Sequence, residues 1–301
     1  MIAALRSHPL LRRVDWLPVW LVMPASLLIA ALMVYPIFRG IWLSFFNTRL
    51  LLYDRGRFIG IGNYLDLAED WYFWNSLEVT CLYAAGSVVA TYLVGLAAAL
   101  LLDREFPGRG LLRMLFIMPW AIPEVVAVLI FVWMLDAQYG VINYALVEAR
   151  LIERPLAFLS QTGLALPAVI LVTVWQQFPL AMLILLGGLK TIPAEQYEAA
   201  MVDGAGPFTR FRYVTLPGLR AVNLVLILIL ILNSFRRVTI LYAMTGGGPA
   251  RSTETLSVLT YNTAFEYQRI GYASAIGTAL LALLLVFSIA YFHLTQRRDA
   301  A

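Results

Sequence analysis

The chain has little charge. Asp, Glu, Lys and Arg make up 13% of its 301 residues, about half the ~25% of a soluble domain. Hydrophobic residues make up 61%, and the mean hydropathy is +0.78, so lipid is its main solvent. Cysteine is almost absent: Cys81 alone excludes a disulfide within the chain and a cysteine-rich metal site. The two histidines, His8 and His293, lie at opposite ends without partners at metal-ligand spacing, so no metal site is expected. The net charge of +4 is nearly all arginine and forms no cluster dense enough for a nucleic-acid footprint. No Ser, His and acid residues stand in a nucleophile-elbow context, which argues against a membrane hydrolase. The single lysine, Lys190, lies in "GGLKT" (187–191), but a phosphate loop needs G-x-x-x-x-G-K-[ST]. Leu189 and Ile184 occupy its two glycine positions, so the chain has no ATP site of its own.

What is present is a series of long apolar runs. Crossing a hydrocarbon core takes about 20 residues. Trp16 to Phe38, Val79 to Leu102, Met114 to Leu135, the rear of Pro155 to Leu189, Ala221 to Met244 and Ile270 to His293 all qualify. The first exceeds a signal-peptide core and lacks a clear cleavage site, so it reads as an uncleaved span. The fourth run is too long for one span, and its front belongs to a loop or an interfacial segment. The expected fold is all-α: a polytopic membrane domain, residues 16–296, with about six transmembrane helices between short ends, 1–15 and 297–301. An even count puts both ends on one side. If that side is inner, its segments hold twelve of the 22 basic residues, a weak positive-inside bias. The aromatic run "WYFW" (71–74) suits an interfacial belt, and "TGGGP" (245–249) is a helix terminator. No internal repeat and no low-complexity tail is evident.

One long polar stretch interrupts this pattern: "EAAMVDGAGPFTRFRYVTLP", residues 198 to 217. Its composition predicts a helix over Ala194 to Val202 with Pro193 in the first turn, and a left-handed cap at Gly204. A second short helix starts at Pro207 and stops at Pro217. Tyr197 and Met201 share a face at i,i+4 spacing. Ala199 and Ala200 leave a shallow surface for a partner, with Glu198 and Asp203 beside it.

The stretch resembles the EAA motif of bacterial ABC-importer permeases: Glu-Ala-Ala, three residues to Gly, then a run to Leu-Pro, between the fourth and fifth spans. "FIGIGNY" (58–64), "MPWAIPEVV" (118–126) and "YAMTGGGP" (242–249) look like the carbohydrate branch of that family, which includes the larger membrane subunit of the maltose importer. The resemblance implies a channel formed with a second permease and a cytoplasmic coupling loop, about 190–218. Two ATPase subunits would grip that loop at Glu198, Ala199, Ala200, Asp203 and Gly204. It also implies an extracytoplasmic solute-binding protein, a multi-pass location in a bacterial inner membrane and cytoplasmic termini. ATP and Mg would be bound by the ATPases and no cofactor by this chain.

Polar residues inside a membrane default to the bundle interior or a watery pathway. "TVWQQFPLAM" (173–182) and "NSFRR" (233–237) are the clusters that stand out. Thr173, Gln176, Gln177 and Leu180 share a helical face. Amides suit sugar hydroxyls, and an aromatic face such as that of Trp175 suits the ring's C–H side. Carrying over the maltose permease's substrate site implies Thr173, Gln176, Gln177, Leu180, Asn233, Ser234 and Arg237 as path residues. Arg236 and Arg237 depart from that subunit, which has uncharged amides there, and favour an acidic, phosphorylated or sulfonated sugar. Neighbours on a helix point about 100° apart, so Arg237 is expected on the path, with Arg236 at a neighbouring helix or the interface. Glu124 is expected to pair with an arginine. The alternative function is an ion-coupled secondary transporter with Glu124 and the arginines relaying protons, against which stand the missing inverted repeat and the intact motif. A membrane enzyme lacks a catalytic constellation.

Overall fold

A computed structural model describes residues 17–51 and 56–297. His8, the arginines at 6, 12, 13, 55 and 298, and the end segments 1–15 and 298–301 lie outside the described residues.

The first span is helical throughout, α1 (Leu17–Ile29) and α2 (Tyr35–Leu43) being joined by a π turn, Ala30–Val34. That turn directly precedes Pro36, which has no N–H to give the normal ladder, and the N–H of Tyr35 reaches back to Ala30 O instead. A short antiparallel ribbon, β1 (Phe46–Asn47) with β2 (Arg57–Phe58), and α3 (Gly62–Glu69) follow. Next come α4 (Trp71–Asp103), α5 (Arg109–Ala121), α6 (Glu124–Met134), α7 (Val141–Glu148) and α8 (Thr162–Leu189). The 190–218 segment forms α9 (Ala194–Val202), α10 (Pro207–Arg210), a π turn and α11 (Leu216–Gly218). The chain ends with α12 (Arg220–Arg236), α13 (Thr239–Thr245), α14 (Leu256–Tyr261) and α15 (Ile270–Arg297).

Among the described residues four helices are apolar and long enough to cross a membrane, and counting each of two bent helix pairs as one span makes six. The third expected span is therefore not continuous: α5 and α6 meet at 96°. Ile122 precedes Pro123, and the ring of a proline pushes the residue before it out of the helical region; Ile122 is extended, at φ −77° and ψ 129°. The fifth expected span is interrupted as well. α12 ends at Arg236, Arg237 is extended, and α13 begins at Thr239. The front of the 155–189 run lies outside α8, in a loop, as expected.

The core is built on α4 and α8, the most extensively packed helix pair. In their apolar windows 44% and 50% of residues are buried, against none in the first span, which identifies α4 and α8 as the centre. They approach closely because Gly95 of α4 faces Ala181 of α8; a Cβ on Gly95 would lie 2.7 Å from that of Ala181. Two apolar blocks form along this pair. One, toward the end bearing residues 190–218, contains Leu96, Ala99, Leu102, Met182, Leu185, Leu219 and Leu226. The other, toward the opposite end, contains Tyr83, Val128, Phe131, Val169, Val172, Ile240 and Leu241.

At that opposite end the chain after α13 folds back into the bundle. Gly246, at φ +62°, ends α13 as the sequence leads one to expect. Thr253, Glu254 and Thr255 are then fully buried. The Glu254 carboxylate is met by Arg251 and by Asn262 Nδ2, and the Arg251 guanidinium lies 3.9 Å over the Tyr72 ring. Of the aromatic run, Trp71 and Trp74 are exposed, whereas Phe73 packs inside.

Candidate functional site

Between the two apolar blocks, midway along α4 and α8, lies a layer of polar side chains. α4 supplies Tyr83, Ser87 and Thr91, four residues apart and so on one face. α8 supplies Thr173, Gln176 and Gln177; α12 supplies Asn233 and Ser234; Arg237 follows directly after α12. Tyr83 Oη and Thr173 Oγ1 are 2.9 Å apart, and Thr173 in turn donates to Val169 O. Ser87 and Ser234 hydroxyls are 3.2 Å apart. Ser87, Thr91, Thr173, Gln177, Asn233, Ser234 and Arg237 border one narrow crevice.

Arg237 is the charged centre of the layer. Its Nη1 donates to Glu124 Oε1 and to Gln176 Oε1, each at 3.1 Å, and its side chain is 10% exposed. Its carbonyl, freed where α12 ends, accepts from Ser257 Oγ at 2.8 Å. The two broken spans thus meet at their breaks, since Glu124 is the first residue of α6 and Arg237 the first after α12. Because Arg237 is not helical, the 100° separation expected of two helical neighbours does not apply. Arg236 and Arg237 border the same cavity of about 280 Å³, with Glu124, Asn233, Val238 and Thr239. Arg236 meets Asn233 Oδ1, on its own helix, at 2.8 Å.

Six of the seven expected path residues come together in this layer. Leu180, one turn further along α8, is half-buried and borders neither cavity. Trp175 turns away, packing edge-on to Phe131 with ring centroids 4.9 Å apart in an apolar block. The α4 residues were missed by the sequence reading. Their signal is the run Ser76, Thr80, Tyr83, Ser87, Thr91, Gly95, a stripe of small and hydroxyl residues at helical spacing.

The expected docking loop lies at one end of the bundle. α9 ends in a Schellman motif: the N–H of Ala205 bonds to Ala200 O at 2.8 Å and that of Gly204 to Met201 O at 3.0 Å. Gly204 has φ +77°, the left-handed cap foreseen from the sequence. Pro193 caps the helix rather than entering its first turn. Glu198, Ala199, Asp203 and Gly204 are exposed and Ala200 is half-buried. Tyr197 turns inward, its hydroxyl 3.1 Å from Thr215 Oγ1, while Met201 stays exposed. Pro217 does not stop the second short helix. The π turn at Phe211–Thr215 absorbs its missing donor, helix continues to Gly218, and the chain then bends 70° into α12. Val202, Phe208 and Tyr213 add an exposed apolar face.

Residues 91–300 match the family described as the binding-protein-dependent transport system inner membrane component. The sulfoquinovosyl glycerol transport system permease protein of Agrobacterium fabrum is 34% identical over 94% of this chain and 91% of its own length. The trehalose/maltose transport system permease protein of Thermococcus litoralis is 32% identical over 93% of this chain and 94% of its own. The chain belongs to this family. A bacterial ABC transporter involved in importing the acidic polysaccharide alginate contains a chain that matches at a TM-score of 0.81. The match covers 94% of this chain and 96% of that one, and at 20% identity the likeness is one of fold.

In this permease Lys190 has a structural partner: its Nζ lies 2.6 Å from Asp103 Oδ1, joining the ends of α4 and α8 beside the loop. The Arg237–Glu124 pair has a testable energetic consequence. Arg237→Ala leaves Glu124 and Gln176 without their shared donor, which is expected to cost about 1–3 kcal/mol. Adding Glu124→Ala should then cost little more, because the pair acts as a unit. Melting temperatures of the purified assembly for the two single variants and the double would measure this, and strictly additive losses would show that the pair contributes nothing.

Proposed function

We propose that this permease is the membrane subunit of an ATP-driven importer, and that with a second permease it forms the path for a sugar or sugar derivative. The observation that carries this reading is the polar layer between two apolar blocks. Hydroxyl, amide and guanidinium groups gathered midway along the central helices are costly in hydrocarbon unless they serve a polar solute. The sugars named for the two relatives agree with that chemistry. The solute is delivered by an extracytoplasmic solute-binding protein. Thr173, Gln176, Gln177, Asn233, Ser234 and Arg237 line its passage.

In the same reading two ATPase subunits hold the exposed surface of Glu198, Ala199, Ala200, Asp203 and Gly204. That loop and both termini face the cytoplasm. ATP and Mg belong to the ATPases, because Leu189 and Ile184 stand in this chain where a phosphate loop needs glycine. An ion-coupled transporter fits less well, since Glu124, its candidate proton carrier, is ion-paired to Arg237.

The test is reconstitution into liposomes with the partner permease, ATPases and binding protein. Sugar uptake is expected to require ATP hydrolysis, and the chain alone is expected neither to bind nor to hydrolyse nucleotide. ATP binding by the isolated chain, or uptake by it along an ion gradient, would refute the proposal.

A further inference from the structure

The cavity at the mouth of the polar layer contains two guanidiniums and one carboxylate, from Arg236, Arg237 and Glu124. The carboxylate is already committed. Glu124 pairs with Arg237, which Gln176 also holds and which is largely buried. Arg236 is different: it is exposed, and its hydrogen-bond acceptor among the described residues is the neutral Asn233 Oδ1. The cavity is therefore one negative charge short, in a part of the molecule where an unbalanced cation is unfavourable. It is also rich in donors. With its oxygen turned to Arg236, the Asn233 amide presents its NH2 group, and Thr239 adds a hydroxyl at the rim. Its volume of about 280 Å³ lies just below that of ligand cavities, which run from about 300 Å³ upward. It suits one sugar unit, or the charged end of a larger one.

We infer that Arg236, rather than Arg237, is the residue that selects the solute, and that the solute is a sugar bearing one oxyanion group: a sulfonate, a carboxylate or a phosphate ester. A guanidinium presents a planar fork of donors that matches such groups in a bidentate manner. Arg237 is then a positioning residue. Its charge is spent on Glu124, and the pair fixes the cavity wall on which Arg236 opens. This inference rests on the importer reading of the same site.

The experiment uses the complete assembly of both permeases, ATPases and binding protein in lipid nanodiscs, with three matched probes: methyl glucoside, methyl glucuronide and methyl 6-deoxy-6-sulfoglucoside. Equilibrium binding at low salt is expected to be about tenfold tighter for an anionic probe than for the neutral one, the scale of one charge-assisted contact. Arg236→Gln should remove that difference and Arg236→Lys should keep part of it. A preference that survives Arg236→Gln, or a wild-type assembly that binds the neutral probe as tightly as the anionic ones, would overturn the inference. So would an acidic residue of the second permease found paired with Arg236. ATP-dependent sugar uptake without any probe preference would sink the anion assignment and leave the importer reading standing. Failure of the chain to assemble with an ATPase would strike the importer reading itself.

Discussion

Replacing Gly204 by valine is expected to abolish ATP-driven uptake while leaving the amount of protein in the membrane near wild type. Gly204 has φ +77°, and no atom lies within 4 Å of where a Cβ would be. The penalty is therefore one of backbone conformation: a left-handed residue costs an ordinary side chain roughly 1–2 kcal/mol, and a β-branched one more. The two Schellman bonds that end α9 depend on that conformation. Relaxing it re-aims the 207–218 helix, and with it the exposed face that includes Phe208 and Tyr213. Insertion should be spared, because Gly204 is exposed and belongs to neither apolar block. Gly204→Asn should retain much of the activity, since Asn tolerates the left-handed region. Uptake assays paired with immunoblots of the membrane fraction would check this, and a valine variant with normal uptake would end the argument that the ATPases act through this loop.

Gly95→Leu should act in the opposite way, lowering the yield of folded assembly before any question of transport arises. A Cβ there would lie 2.7 Å from Ala181 Cβ, 3.1 Å from Met182 N and 3.3 Å from Ala181 C. Two of those three atoms are backbone, so α4 and α8 must separate rather than repack. Overpacking a well-filled core costs about 1–3 kcal/mol where side chains can shift, and a rigid helix backbone puts this case at or beyond the upper end. Small residues that allow close approach are a main source of helix–helix affinity in lipid. Gly95→Ala should be intermediate, with partial rescue by Ala181→Gly. Melting temperature and purified yield are the readouts; a leucine variant that melts like wild type would show that this crossing is not what holds α4 to α8.

How much of this was legible in the sequence depended on how local the cause is. The bounds of α9, the cap at Gly204 and the terminator at Gly246 were all readable, because each follows from residues within one turn. Six apolar runs gave the spans, and the excess length of the fourth gave its loop. The bend at Ile122 and Pro123 carried a visible proline signal, but hydropathy runs unbroken across it. The break at Arg237 carried no such signal. Neither proline nor glycine stands there, and the freed carbonyl is satisfied by Ser257, twenty residues away. The hydroxyl stripe on α4 escaped for a different reason: Ser and Thr scarcely lower the mean hydropathy of a long apolar helix. Which way a side chain faces is a tertiary matter, as Trp175 and Arg236 both show.

The two interruptions at Ile122 and Arg237 have a mechanical consequence. α4 and α8 run the full length as uninterrupted struts, whereas α6 and α13 are short levers hinged at the level of the polar layer. These levers pack on one another and share one ion pair at their pivots. Val128 and Phe131 of α6 and Ile240 and Leu241 of α13 are packed with Tyr83, Val169 and Val172 of the struts, so any movement of the pair has to repack that apolar block as well as exchange the hydrogen bonds at the pivot.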